Sequence, residues 1–341
     1  MRTKVGWFCL VLFVPTLVAR AQESAPDATA GPMIRPAEES IERGLAYLAA
    51  KQNENGTFQT NQFGNNPAIV GLGGMAFLAS GSAPDRGPYG KEVTRAIDYL
   101  LSITRGDGFI VPSDGGSHGP MYGHGFATLF LAEVYGMSHR DDLRDSLARS
   151  IDLIVRTQNK EGGWRYNPVP ADADISVTIC QIMALRAARN AGIHVPKQTV
   201  DACEEYVKKC QEPDGGFSYM LQNRGSMFPR SAAGVVALYS AGIYEGPEIE
   251  NGLKYLDQFL PRKGQITREA HYFYGQYYAV QAMWHAGGER WQNWYPAIRD
   301  ALIDGQRPDG SWQDTVSPEY ATAMATIILQ MPNNMVPIFQ R

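Results

Sequence analysis

The chain has 341 residues, 44% of them hydrophobic, with 31 basic and 35 acidic side chains and a net charge of -4. That length and apolar share imply one large domain with a sizeable core. An acidic balance without a basic cluster argues against nucleic acid as a partner.

The chain opens like an export signal. Arg2 and Lys4 precede an apolar run from Val5 to Val18, and Ala19 and Ala21 offer the small residues a signal peptidase reads. Residues 1–21 are therefore read as a signal peptide, with an uncleaved membrane anchor as the alternative, giving an exported protein, periplasmic or secreted, with no stable membrane span once the signal is removed. The run is shorter than the ~20 residues a spanning helix needs. Cleavage would remove three basic residues and no acidic one, taking the charge to -7. Residues 22–37 read as a flexible lead-in. Cys180, Cys203 and Cys210 remain, and all three are read as packed core thiols.

From residue 38 two kinds of helical segment alternate. Amphipathic, charged segments are expected near 38–52, 88–104, 142–158, 197–211, 247–260 and 292–306. Apolar ones follow near 66–81, 119–137, 174–191, 229–242, 270–287 and 318–331. In the third pair, Leu143, Leu147, Ile151 and Ile154 recur at helical spacing with Asp141, Asp145 and Arg149 on the other faces. Its partner carries Val177, Ile179, Cys180, Ile182 and Met183, apolar nearly all round. Such a helix must be buried on most sides.

Between the two members of each pair lies a recurring turn. QNENGTF, TRGDGFI, QNKEGGW, QEPDGGF, PRKGQI and QRPDGSW place Phe58, Phe109, Trp164, Phe217, Ile266 and Trp312 in one aromatic or apolar slot. The steps are 51, 55, 53, 49 and 46 residues, a six-fold internal repeat. Six pairs with so apolar an inner set bury their surface best in a closed ring. The expected fold is all-α, an alpha/alpha toroid of six helical hairpins, six inner and six outer, over residues 38–341.

QRPDGSW and QEPDGGF resemble the glutamine, Asp-Gly, aromatic repeat of the squalene-hopene cyclase and prenyltransferase beta-subunit superfamily, and the resemblance spans about residues 40–332. It implies the same toroid. The stretch ADADISVT resembles the cyclase signature Asp-x-Asp-Asp-Thr, whose middle acid protonates an alkene. The resemblance puts Asp172 first and Asp174 in the proton-donor place. Ile175 stands where the third acid belongs, and Ser176 replaces the threonine. The prenyltransferase zinc set needs a cysteine where Ser176 stands, so no metal and no cofactor is implied.

In such a ring, chemistry gathers where inner helices begin, because their unpaired N–H groups hold acids and polar groups there. Counting from the aromatic slot puts Asn66, His118, Asp172, Asp174, Arg230, His271 and Tyr320 on one rim. Asp172 and Asp174 fit two roles, helix cap or working acid. His271, Tyr274 and Tyr278 share a helical face, and aromatic faces can stabilise a passing cation or simply pack. Tyr122 and His124 lie in a glycine-rich approach to the second inner helix. Arg230 could pair with Asp174 or hold an anion.

Three function classes follow. The first is an exported terpene (squalene) cyclase-like protein, an isomerase or intramolecular transferase, with Asp174, Asp172 and His271 catalytic. Its substrate contacts would be His124, Tyr122, Arg230, Tyr274, Tyr278 and Tyr320, and its partner a hydrophobic isoprenoid or lipid. The second is a non-catalytic lipid, glycan or peptide binding module on the same toroid. The third is a carbohydrate-active enzyme using paired carboxylates. Squalene cyclases of the family have two helical domains, which makes a single ring look small for a C30 chain.

Overall fold

A computed structural model describes residues 34–59, 63–114, 119–138, 140–264, 266 and 270–340. The signal segment, most of the lead-in and His118 lie outside these. The described chain forms twelve α-helices. Six are outer: α1 (Arg35–Lys51), α3 (Gly90–Ser102), α5 (Asp141–Thr157), α7 (Lys197–Lys209), α9 (Pro247–Leu256) and α11 (Gly288–Gly305). Six are inner: α2 (Pro67–Ala79), α4 (Pro120–Tyr135), α6 (Ile175–Asn190), α8 (Phe228–Ala241), α10 (Tyr272–Ala286) and α12 (Pro318–Gln330).

Each inner helix packs on the next, α2 on α4 and so on to α10 on α12, and α12 packs back on α2. The ring is closed. Outer helices cover it, α3 against α2, α5 against α4, α9 against α8, α11 against α10 and α1 against α12, while α7 touches α6 and α8. The expected segments match these helices closely. Two starts differ: α1 begins at Arg35, inside the expected lead-in, with Pro36 in its first turn, and α11 begins at Gly288.

The recurring turn joins each repeat to the next. Gln158 Nε2 donates to the carbonyls of Gly162 (2.8 Å) in its own turn and Thr199 (2.9 Å) in the next outer helix. Gln211 does the same with Gly215 and Glu248. Gln306 donates to Gly310 and, 266 residues back, to Ser40, so the last repeat is stitched to the first. The turn glycine is obligatory for two reasons: Gly162 has φ +102°, and a Cβ there would lie 2.0 Å from the Ala202 carbonyl oxygen. Where the second copy has Thr104 instead of glutamine, α5 supplies the stitch. Ser150 Oγ donates to the Gly108 carbonyl at 2.9 Å and Arg156 to that of Asp107 at 2.9 Å.

The middle of the ring is filled. Phe126 of α4 and Tyr277 of α10, on opposite helices, meet edge to face with centroids 6.1 Å apart. Beyond them the C-terminal segment turns inward, with Phe339 edge-on to Tyr277 at 6.2 Å and Val336, Ile338 and Phe339 buried. Among the described residues no helix is long and apolar enough to cross a membrane.

Candidate active site

Asp174 is the residue before α6, and its extended backbone (φ -132°, ψ 155°) turns the carboxylate onto the first turn. Oδ1 accepts from the Ser176 N–H (2.9 Å) and the Val177 N–H (3.0 Å). Oδ2 points elsewhere. It lies 3.4 Å from the Tyr219 hydroxyl, which donates to it, and 3.7 Å from Arg165 Nε. Asp174 is 0% exposed, and burial lifts its carboxyl to about 6 despite the opposing hydrogen bonds and Arg165. The residue is both cap and buried acid.

Three backbone bonds hold this corner. The Asp174 N–H donates to Trp164 O, Ile175 N–H to Tyr219 O and Met121 N–H to Tyr166 O, each at 3.0 Å. They bring the loops after two successive turns against the start of α4 and α6. Arg165 lies over the rings of Tyr166 (5.0 Å) and Tyr219 (5.8 Å) and forms an ion pair with Asp172. The hydroxyls of Tyr166 and Tyr219 are hydrogen-bonded to each other. Tyr122 packs 6.1 Å from Tyr166, and burial and Asp174 together raise its hydroxyl.

The other wall comes from α10. The Tyr274 hydroxyl donates to Ser176 O at 2.9 Å, and that of Tyr278 lies 3.5 Å from Cys180 Sγ. Burial pushes the Cys180 thiol up to about 12, so it is a packed thiol and not a nucleophile. Tyr122, Tyr166, Tyr219, Tyr274 and Tyr320 all keep part of their surface exposed. The partly exposed tyrosines of α4, α10, α12 and the two loops thus form an aromatic rim, or bowl, with Asp174 in its wall.

Asp172, Asp174, Tyr122, Tyr274 and Tyr278 are brought together, and Tyr320 of α12 has Cys180 and Tyr277 among the groups that perturb it. Three expected residues stand apart. His124 turns outward: its Nδ1 accepts from Ile110 N–H (3.2 Å) and Nε2 faces Ser150 O (3.3 Å). Burial lowers it to about 4, and with both ring nitrogens on backbone groups it can neither ligate a metal nor reach the bowl. Arg230 donates to the carbonyls of Phe217 (3.1 Å) and Gly225 (2.7 Å) and makes no bond to Asp174, whose cation is Arg165. His271 is exposed, in a left-handed conformation (φ 58°), with no hydrogen bond to either aspartate among the described residues. Arg165, Tyr166 and Tyr219 were not expected from the sequence. Their signal is positional: Tyr166 and Tyr219 each stand two residues after the slot residues Trp164 and Phe217.

No protein-family profile matches the chain. The drimenyl diphosphate synthase of Streptomyces showdoensis is 27% identical over 178 residues, 52% of this chain and 32% of that protein. That of Streptantibioticus cattleyicolor is 30% identical over 91 residues, 27% of this chain and 16% of that protein. The chain therefore spans about a third or less of the curated relatives it matches. The type II terpene cyclase MstE from Scytonema, solved with geranylgeranyl dihydroxybenzoate as substrate, superposes with a TM-score of 0.58 at 15% identity over 88% of this chain and 98% of that one.

The chain has the alpha/alpha toroid fold of these cyclases. The same toroid carries other chemistry, since the GH76A alpha-1,6-mannanase of Salegentibacter sp. HEL1_6 superposes with a TM-score of 0.60 at 9% identity over 86% and 98% of the two chains. At these identities the likeness of the solved structures is one of fold. The near-complete coverage of the Scytonema enzyme also shows that a terpene cyclase can have about the length of this toroid.

Proposed function

We propose that the chain is an exported, terpene cyclase-like protein that binds a hydrophobic isoprenoid in the tyrosine-lined bowl and starts its cyclisation by proton transfer from Asp174. The observation that carries this reading is the split environment of one carboxyl group. Oδ1 is held by two backbone N–H groups, which stabilise the conjugate base, while the buried Oδ2 has the Tyr219 hydroxyl at 3.4 Å and Arg165 Nε at 3.7 Å. A proton on Oδ2 would be the one given to a substrate seated among the tyrosines. The N–H groups make it a stronger acid, and burial keeps it bound until an alkene arrives. Asp172 has a supporting part, because its ion pair draws Arg165 charge away from Asp174. The tyrosine faces can stabilise the cation that follows.

The test is incubation of the purified chain with squalene and with farnesyl and geranylgeranyl substrates, followed by mass spectrometry of the extracts, beside Asp174→Asn. Cyclic product that disappears in the variant supports the reading. Product unchanged by the substitution rejects Asp174 as the acid.

A non-catalytic lipid, glycan or peptide binding module is favoured by a different observation. Arg165 Nε, 3.7 Å from Oδ2, stabilises the carboxylate and opposes proton donation. On that reading the same incubation yields ligand retained without turnover.

A further inference from the structure

A general acid this deeply buried must recover its proton after each turnover, and Asp174 itself touches no solvent. Oδ1 is already committed to two N–H groups, so recovery has to reach Oδ2. Among the described residues the polar neighbours of Oδ2 are the Tyr219 hydroxyl and Arg165 Nε, and the guanidinium cannot give up a proton. Tyr219 in turn is hydrogen-bonded to Tyr166, and both rings are partly exposed at the mouth. We infer that Tyr166 and Tyr219 form a two-hydroxyl relay that carries protons from solvent to Oδ2 of Asp174, a role that rests on Asp174 being the acid.

The step balances without a co-reactant. Asp174 loses its proton to the alkene. Tyr219 passes its hydroxyl proton to Oδ2, Tyr166 passes its own to the Tyr219 oxygen, and a hydronium ion from solvent replaces the proton on Tyr166, leaving water. The shift is concerted, because burial raises the Tyr219 hydroxyl and disfavours a tyrosinate. The 3.4 Å gap between Tyr219 and Oδ2 is long for transfer, as catalytic hydrogen bonds often are in unliganded structures. Arg165 keeps the two rings in line by lying over both and anchoring on Asp172. The other titratable groups near enough for Asp174 to raise are Tyr122 of α4, Cys180 of α6, Tyr206 of α7 and Tyr274 of α10, all raised first by burial and none hydrogen-bonded to Oδ2 among the described residues.

The relay is tested on the purified full chain by infrared spectroscopy, following the protonated-carboxyl C=O band that Asp174→Asn removes. On rapid transfer into heavy water at pH 5, the band should shift within the mixing time in the native protein. In Tyr219→Phe and in Tyr166→Phe, it should shift about tenfold or more slowly. Tyr166→Phe, at the exposed end, guards against a folding defect in the other variant. Equal exchange rates in all three overturn the relay while leaving Asp174 as the acid. Absence of any band belonging to protonated Asp174 at pH 5 overturns both. Failure of the native chain to cyclise any isoprenoid counts against the proposed reaction alone, since exchange is read without turnover.

Discussion

Gln306 and Ser40, 266 residues apart, are joined by a 2.9 Å hydrogen bond from the glutamine carboxamide to the serine carbonyl. The same glutamine holds the Gly310 carbonyl, and Gly310 lies where a Cβ would come within 2.5 Å of the Arg43 carbonyl oxygen. One turn therefore fastens the ring.

Gln306→Ala should cost about 1 to 3 kcal/mol, because two carbonyls lose their donor in a partly buried place. Gly310→Ala should cost at least as much, combining φ +88° with the steric clash. Urea denaturation followed by circular dichroism measures both. A loss below about 0.5 kcal/mol in both variants would show that the ring does not depend on this clasp.

Asp174→Asn and Asp174→Ala should separate the two roles of one residue. Asparagine caps helices nearly as well as aspartate, so the first variant should stay within about 1 kcal/mol of the native protein yet lose acid-dependent turnover. Alanine leaves the Ser176 and Val177 N–H groups without their acceptor and should cost about 1 to 2 kcal/mol. Turnover retained by the asparagine variant would refute the acid assignment.

Stability should fall as pH rises from acid to neutral. Burial holds Asp174 at about 6 and Glu133 at about 7, both above their ordinary values, so the folded chain keeps protons that the unfolded chain releases. Stabilisation is greatest below about pH 4 and is lost as pH climbs through the two folded values, on the order of 3 kcal/mol for each group. Glu133→Gln should flatten the upper part of the curve and Asp174→Asn the lower. Urea midpoints between pH 4 and 8 provide the measurement, and curves parallel to the native one would contradict it. Turnover by protonated Asp174 should decline above about pH 6.

His124→Leu should destabilise by about 2 to 3 kcal/mol, since the Ile110 N–H and Ser150 carbonyl lose a partner in the core. Binding of an isoprenoid to the native-folded fraction should be unchanged, measured by calorimetry at a temperature where the variant is folded. Weaker binding there would place His124 in the bowl after all.

The ring is legible in the sequence because four of the six repeats carry the same punctuation: a glutamine that bonds the next outer helix, a glycine at positive φ against that helix's backbone, and a buried aromatic. Asp174 was legible for a similar reason, since an acid before an apolar helix has a defined place. His124 and Arg230 were misjudged because distance along the chain fixes height on the rim but not rotation, and neighbouring helical residues diverge by about 100°. A spacing would have corrected the histidine. A backbone N–H bonds a side chain 14 residues later at Ile110 and His124, at Trp164 and Thr178, and at Phe217 and Ser231. Arg165, Tyr166 and Tyr219 sit in irregular loops, where no periodicity announces which side chains will meet.

The edge-to-face contact of Phe126 with Tyr277 plugs the hoop at its axis. A long flexible guest bound as proposed could not thread through. It would have to coil upon itself above that pair, so widening substitutions at the rim are the ones that would admit more carbons.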